Sequence, residues 1–136
     1  MTLKQFVDGC RVGYLATSDT DSQPHVVPVC FVVQGENAYI TIDDKPKRRG
    51  KPLKRIRNIL HNPRVALVVD HYEEEWSKLG WVMFRGHAEI LNEGAEHDCA
   101  QELLRIRYPQ MQLMELHEHP VIAVRIDKVS SWGAAK

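Results

Sequence analysis

The sequence predicts a single α+β domain, residues 1–136, built on a six-stranded antiparallel β-barrel, closed or split, with small flanking helices. Three observations support this prediction. The chain has 136 residues, 43% of them hydrophobic, which suits one domain with its own core. Six short β-favouring segments follow one another at meander spacing, whereas only three segments have a helical period. Because these helices cannot supply a crossover after each strand, a doubly wound parallel sheet is excluded.

The first part of the chain predicts a short helix and a β-hairpin. Thr2 and Gln5 have capping-box spacing, and the apolar residues after them recur with a helical period. Val12–Thr17 and His25–Val33 are β-favouring runs on either side of a polar turn. The second run is apolar at both parities, so we expect one face to line the core and the other to meet a partner.

A third strand, Ala38–Ile42, leads into a basic segment and a second helix. Residues 45–57 hold eight of the 18 Lys and Arg residues and no acid. Pro52 suits a first helical turn, and Asn62–Pro63 ends the helix. The expected apolar stripe of this helix is Leu53, Ile56 and Leu60.

The remaining elements are three strands and one helix. Val65–Val69 and Trp81–Leu91 read as buried strands, and Gly86 within the second indicates a bulge or a close backbone approach. A helix ends before Pro109, and Val121–Ile126 is the closing strand. The expected buried stripe of this helix is Ala95, Cys99, Leu103 and Ile106.

Charge and cysteine content limit the functional classes. The 18 cations balance 18 acids, so no overall polycation argument for nucleic-acid binding exists. Cys10, Cys30 and Cys99 have no metal or redox spacing and are expected to be reduced, mostly buried thiols. No run of about 20 apolar residues and no signal peptide occur, which favours a soluble, cytoplasmic protein without a membrane partner.

The basic segment is the strongest chemical signal. It runs from a strand into a helix N-terminus, where free N–H groups and the helix dipole favour a phosphate. Pro46, Gly50 and Pro52 give this loop a defined shape. A solvated loop and an RNA-binding surface are the alternatives, and the latter normally interleaves aromatic residues that are missing here.

Other site classes have weak support. The pairs His117–His119 and Asp70–His71 lack zinc-site spacing, so we expect surface histidines and no metal. No hydrolase or nucleotide-loop motif occurs. The aromatic residues Tyr72, Trp76, Trp81 and Trp132 could line a pocket for a flat ring, form a subunit interface or pack in the core.

Several blocks resemble the pyridoxamine 5'-phosphate oxidase-like split-barrel family from about Phe6 to Trp132. The Asn58–Val65 block, N-x-x-x-N-P-R-V, is the most telling. Lys45–Arg48 and Asp70–Trp76 resemble the actinobacterial branch thought to use the deazaflavin coenzyme F-420. Further matching blocks are Leu15–Thr17, Pro24–Phe31 and Tyr39–Ile42.

This resemblance implies a homodimer with two cofactor sites at the subunit interface. The cofactor, F-420 or FMN, would place its phosphate at the basic loop and its ring beside strands two and three. The implied function is a flavin-type oxidoreductase acting on a small organic substrate, and the alternative is a non-catalytic binding or carrier protein. The eight clustered cations exceed the needs of one FMN phosphate and favour F-420 with its glutamyl tail.

The resemblance also nominates cofactor-binding residues. Thr41 and the cations stand near the phosphate position, and two residues of the second strand stand beside the ring. No catalytic side chain is nominated, because the cofactor would carry the hydride chemistry. The expected cofactor-binding residues are His25, Pro28, Thr41, Lys47, Arg48, Lys54, Arg55 and Trp76.

Overall fold

An antiparallel sheet of seven strands curls around one core in the computed structural model, which describes residues 1–42 and 53–135. Three α-helices and three 3-10 turns accompany the sheet in this part of the chain. The elements are α1 (Leu3–Gly9), β1 (Gly13–Ser18), β2 (Pro24–Val29), β3 (Val32–Gln34), β4 (Asn37–Thr41), α2 (Lys54–His61), β5 (Arg64–His71), β6 (Gly80–Leu91), α3 (Ala95–Arg107) and β7 (Val121–Gly133). The 3-10 turns are Trp76–Lys78, Pro109–Leu113 and Leu116–Glu118.

The strand order β2-β1-β5-β6-β7-β4-β3 explains the curl. The two edge strands, β2 and β3, are consecutive in the chain and separated by Cys30 and Phe31 alone. Because so short a connection spans only about 10 Å, the two edges of the sheet must approach each other. The result is a half-barrel of seven strands.

The predicted six-strand count is therefore wrong, and the predicted strand His25–Val33 is the reason. It divides at Cys30 and Phe31 into strands on opposite edges. The Phe31 side chain is fully buried, and its backbone N–H donates to the hydroxyl of Tyr108 at 3.1 Å instead of to a strand. A side chain distant in sequence thus interrupts the ladder.

The concave face of the sheet holds the main core, covered by α1 and α2. The capping box of Thr2 and Gln5 is present at the start of α1, as predicted. In α2 the buried residues are Ile56, Asn58 and Ile59. Leu60 is 65% exposed, so the predicted stripe is wrong there. The amide of Asn58 donates to the Thr17 hydroxyl at 2.9 Å, which turns a polar residue of α2 inward.

A second core lies between α3, the 3-10 turns and the other side of β4 and β7. The predicted stripe of α3 is shifted, because the helix buries His97, Ala100, Gln101 and Leu104. Cys99 and Ile106 are exposed instead. The polar residues are buried because they bind carbonyl oxygens of the following segment: Gln101 donates to Leu116 at 2.8 Å, and a ring nitrogen of His97 lies 2.7 Å from the His119 oxygen.

The predicted irregularity at Gly86 is confirmed as a β-bulge between β6 and β7. Arg85 pairs with Lys128 and Gly86 with Ile126, so Asp127 is the extra residue. Beyond the bulge β7 continues to Gly133, further than the predicted end at Ile126, because it stays paired with β6. Within the described residues no helix has the length and apolar character needed to cross a membrane.

Candidate functional site

A cavity of about 190 Å³ lies where β2, the end of β4 and the start of α2 come together. Its polar lining residues are Thr41 and Arg55. The apolar part of the wall includes Val12, Pro28 and Met111. A guanidinium group and a hydroxyl group in an otherwise apolar cavity are suited to one oxyanion group, such as a phosphate.

The local fold positions both polar residues. Thr41 is the last residue of β4 and directly precedes the part of the chain that enters the basic segment. Arg55 is the second residue of α2, where the helix dipole also favours an anion. The Thr41 hydroxyl is buried and has no hydrogen-bond partner within residues 1–42 and 53–135. A buried hydroxyl without a partner is costly, so a ligand atom would stabilise it.

The structure brings together three of the residues nominated from the sequence, since Pro28, Thr41 and Arg55 line the same cavity. Lys54 instead lies 3.4 Å from Asp19 in the turn between β1 and β2. Asp19 also accepts hydrogen bonds from the backbone N–H groups of Gln23 and Asp21. The hydrogen bond from Gln23 is the main cause that lowers the pKa of the Asp19 carboxyl.

The other nominated residues are placed elsewhere. His25 and Pro28 are three residues apart on β2, so their side chains lie on opposite faces of the strand. Trp76 is 69% exposed in the 3-10 turn after β5 and does not line the cavity. Lys47 and Arg48 lie outside the described residues, together with most of the basic segment.

The other four lining residues were not nominated from the sequence. Three of them, Val12, Val29 and Cys30, lie within the predicted strands Val12–Thr17 and His25–Val33, and Met111 belongs to the 3-10 turn after α3. Nothing in the sequence around Met111 indicates a site. Cys30 could have been found from its position two residues after the nominated Pro28 in an apolar run, which places the two side chains on the same face of a strand.

Tyr108 holds the β2–β3 connection, which contributes Cys30 to the cavity wall. Its hydroxyl accepts a hydrogen bond from the Phe31 N–H and lies within 3.0 Å of the carbonyl oxygens of Arg11 and Phe31. The neighbouring Arg107 donates to the carbonyl oxygen of Asp8 at 3.0 Å. The guanidinium of Arg11 lies 4.6 Å from the centre of the Tyr108 ring. These contacts join α1, the β2–β3 connection and the end of α3.

Among the described residues, several large apolar side chains are exposed on the convex face of the sheet next to the cavity. Tyr14 on β1 is paired with Pro28 on β2 and with Val68 on β5. Val26 is 60% exposed, and Trp132 at the end of β7 is 47% exposed. Large apolar side chains exposed on one face of a sheet can mark a protein–protein or ligand-binding surface.

Metal-binding side chains do not converge in the described ranges. No group of three or more His, Cys, Asp or Glu residues there could hold a metal ion.

Comparison with known proteins matches nearly the whole chain. The family model described as pyridoxamine 5'-phosphate oxidase covers residues 2–133. The 5a,11a-dehydrotetracycline/5a,11a-dehydrooxytetracycline reductase of Streptomyces rimosus subsp. rimosus is 34% identical over 98 residues. That similarity covers 69% of this chain and 67% of the relative.

Solved structures share the fold at low identity. A conserved hypothetical protein from Mycobacterium tuberculosis has a TM-score of 0.76 at 22% identity, over 97% of this chain and 82% of the other. A heme binding protein from Mycobacterium smegmatis also has a TM-score of 0.76, at 21% identity, over 96% of this chain and 52% of the other. This chain thus spans about half of the second structure, and both similarities concern the fold.

Proposed function

The chain belongs to the pyridoxamine 5'-phosphate oxidase family, a family of oxidoreductase type. We propose that it binds F-420 or FMN for hydride transfer to or from a small organic substrate. The observation that carries this proposal is the cavity shared by Pro28, Thr41 and Arg55. It joins a cation, a buried hydroxyl and an apolar wall at the point where the basic segment leaves β4.

In the proposed site Arg55 and Thr41 hold the cofactor phosphate. The Arg55 guanidinium supplies charge and paired N–H donors, and the Thr41 hydroxyl supplies a further donor from a buried position. Lys47 and Arg48 of the basic segment are further cations proposed to bind the anionic groups of the cofactor. When bound, the flavin-type ring supplies the hydride chemistry, while the chain binds it, orients it and excludes water.

The proposed position of the ring is along β2, with Pro28 at the end near the phosphate. The convex face there is apolar but open in one protomer, as Val26 and Tyr14 illustrate. We propose that a second copy covers this face in a homodimer and closes each ring site. The exposed aromatic residues Trp76 and Trp132 would then contribute to the covered surface.

The charge pattern supports F-420 over FMN. Eight cations and no acid occupy residues 45–57. FMN has one terminal phosphate, whereas F-420 has a phosphodiester followed by glutamyl carboxylates that further cations can bind. The Streptomyces relative is named as a reductase, which supports transfer of hydride toward the substrate. A carrier that binds the cofactor without turnover is the alternative.

The test is an anaerobic titration of the purified protein with F-420, FMN and haem in parallel, followed by cofactor fluorescence or absorbance. We expect saturable binding of F-420 or FMN at one site per chain. Binding of haem alone, or of none of the three, would overturn the proposal.

Turnover separates an enzyme from a carrier. Reduced cofactor is mixed with a panel of small conjugated ketones, quinones and α,β-unsaturated carboxylic acids, with and without protein. An enzyme accelerates reoxidation above the rate of the free cofactor for at least one acceptor. A carrier binds with the same affinity but leaves every rate at the free value.

A further inference from the structure

A second cavity, of about 530 Å³, opens on the convex face of the sheet. It is bordered by Ser18, Pro24, Arg64, Arg85, Gly86 and Lys128. Pro24 lies four residues before Pro28 on the same strand, so the two cavities are separated by about 13 Å along β2. None of these six residues was nominated from the sequence as a cofactor-binding residue.

Three cations from three neighbouring strands line this cavity. Arg85 on β6 and Lys128 on β7 are direct cross-strand partners. Arg64 lies on β5, two residues before Ala66, which pairs with Arg85. Like charges directly opposite each other destabilise a sheet, so a bound anion would stabilise this arrangement.

The protein itself supplies little compensation. Within residues 1–42 and 53–135, the side chains of Arg64, Arg85 and Lys128 have no ion pair with a carboxylate and no hydrogen bond. Asp127 is the one acid that borders the cavity, and its carboxylate lies 3.3 Å from the His87 ring.

Ser18 adds a hydrogen-bond donor to the same wall. The Asn62 oxygen accepts from the Arg64 N–H at 3.2 Å, which turns the Asn62 amide nitrogen toward Ser18. That nitrogen donates to the Ser18 hydroxyl at 3.2 Å. Since the oxygen of Ser18 is used as an acceptor, its proton is available to a ligand. The cavity is thus rich in donors and poor in acceptors, as an oxyanion site requires.

The bulge shapes this cavity. Gly86 and the extra residue Asp127 both border it, and bulges commonly redirect side chains at binding sites. A side chain at position 86 would overlap the Arg125 backbone, so glycine is required for the bulge. The close approach of β6 and β7 places Arg85 and Lys128 side by side.

We propose that this cavity binds the oxyanion group, carboxylate or phosphate, of a small acidic molecule. The inference that this molecule is the substrate rests on the proposed function. With the cofactor phosphate at Thr41 and the ring along β2, an anion held by Arg85 and Lys128 lies beyond the opposite end of the ring. The substrate class is then a small organic acid rather than a neutral compound.

The test is titration of the cofactor-free protein with succinate and with inorganic phosphate, followed by amide resonances in 1H-15N spectra at constant ionic strength. We expect saturable shifts of the Ser18 and Gly86 resonances. The double variant Arg85→Gln/Lys128→Gln should raise the dissociation constant at least tenfold. The double variant Lys4→Gln/Lys78→Gln, an equal charge change at two exposed side chains that do not border this cavity, should leave it unchanged. The probe that binds more tightly identifies the oxyanion as carboxylate or phosphate.

A further variant separates this proposal from the first. Arg55→Gln should abolish phosphate-induced shifts at Thr41 and preserve those at Ser18 and Gly86. Loss of both sets in Arg55→Gln, or no saturable shift at Ser18 with either probe, overturns the second site and leaves the first intact. If Arg85→Gln/Lys128→Gln dissociates the dimer and neither probe binds the wild type, the cations face acidic residues of a second copy, and the proposal is wrong.

Discussion

The α-carbon of Gly86 lies so close to the Arg125 backbone that an added methyl group would overlap the Arg125 carbonyl oxygen and lie 2.9 Å from its carbonyl carbon. This close approach accompanies the bulge between β6 and β7. It sets which residues of the two strands face each other beyond the bulge, including Arg85 and Lys128. The glycine thus connects the stability of the sheet with the geometry of the convex face.

Gly86→Ala should lower the free energy of unfolding by about 3 kcal/mol, because the backbone of Arg125 cannot move aside without disturbing the paired strands. Urea unfolding followed by circular dichroism measures this change. Gly9→Ala is the matched control, since no atom lies within 4 Å of the added methyl group. Equal stability of both variants would show that the strands can separate at the bulge.

Tyr108→Phe should cost about 2 kcal/mol of stability, because the buried Phe31 N–H loses its acceptor at 3.1 Å. The measurement is the midpoint of urea unfolding at neutral pH. Tyr72→Phe serves for comparison, since the Tyr72 hydroxyl is on the surface and binds Glu74 at 3.1 Å. A Tyr108 variant as stable as the Tyr72 variant would mean that this hydroxyl does not hold the β2–β3 connection.

Glu96 should make stability depend on acid pH. Hydrogen bonds from Arg125 and then from Tyr39 lower the pKa of Glu96 to about 2, from an ordinary value of 4.5. The unfolded state therefore binds more protons below the ordinary pKa, so stability falls between about pH 5 and pH 2. The side chain is 40% exposed, so solvent screening limits the contribution to about 1 kcal/mol.

Urea unfolding between pH 2 and pH 6 measures this dependence. Glu96→Gln should flatten the slope of stability against pH, because the amide does not titrate. Glu102→Gln, which removes an exposed pair with Arg105 at 3.1 Å, should retain the wild-type slope. Parallel slopes for the wild type and Glu96→Gln would contradict the assignment.

Arg55→Gln should raise the dissociation constant of the cofactor roughly tenfold to a hundredfold, the effect of losing one charge-assisted hydrogen bond. Thr41→Val should weaken binding less, since it removes an uncharged donor. Fluorescence titration measures both, with Arg57→Gln as the control because Arg57 is exposed on α2. Unchanged affinity in the double variant Arg55→Gln/Thr41→Val, with the fold intact, would remove the assignment of this cavity.

Val26→Lys should convert the proposed dimer into a monomer, because dimerisation would bury an ammonium group in an apolar face. Sedimentation velocity measures the mass in solution. Leu60→Lys is the control, since Leu60 is 65% exposed but lies on α2, which covers the concave side of the sheet. A dimer that persists in Val26→Lys would place the interface on another surface. A monomeric wild type would exclude the dimer.

Local patterns predicted most elements well. The capping box of Thr2, the irregularity at Gly86 and the ends of α2 at Asn62 and of α3 before Pro109 are properties of short segments. The predicted stripe of α2 was wrong at Leu60 and that of α3 was shifted, for a shared reason. Asn58 in α2 and His97 and Gln101 in α3 are polar residues that become buried by binding partners elsewhere in the chain.

The family resemblance nominated residues near an expected phosphate, but it could not tell which of them would line the same cavity. Arg55 and Lys54 are adjacent in sequence, yet Arg55 lines the cavity and Lys54 pairs with Asp19. Adjacent helical residues point about 100° apart, so the direction of the helix decides between them. The Arg64, Arg85 and Lys128 group was missed because it depends on the pairing of three strands.

The amino-acid sequence by itself determined where most helices and strands begin and end, the antiparallel class of the sheet and the concentration of cations after β4. Tertiary structure decided that one apolar run becomes two edge strands, which cations share a cavity and which apolar face stays open. The physical reason is the sequence distance over which each kind of interaction acts. Helical period, capping and turn chemistry act over a few residues, whereas strand register and the burial of a polar group depend on partners far along the chain, such as Tyr108 for Phe31.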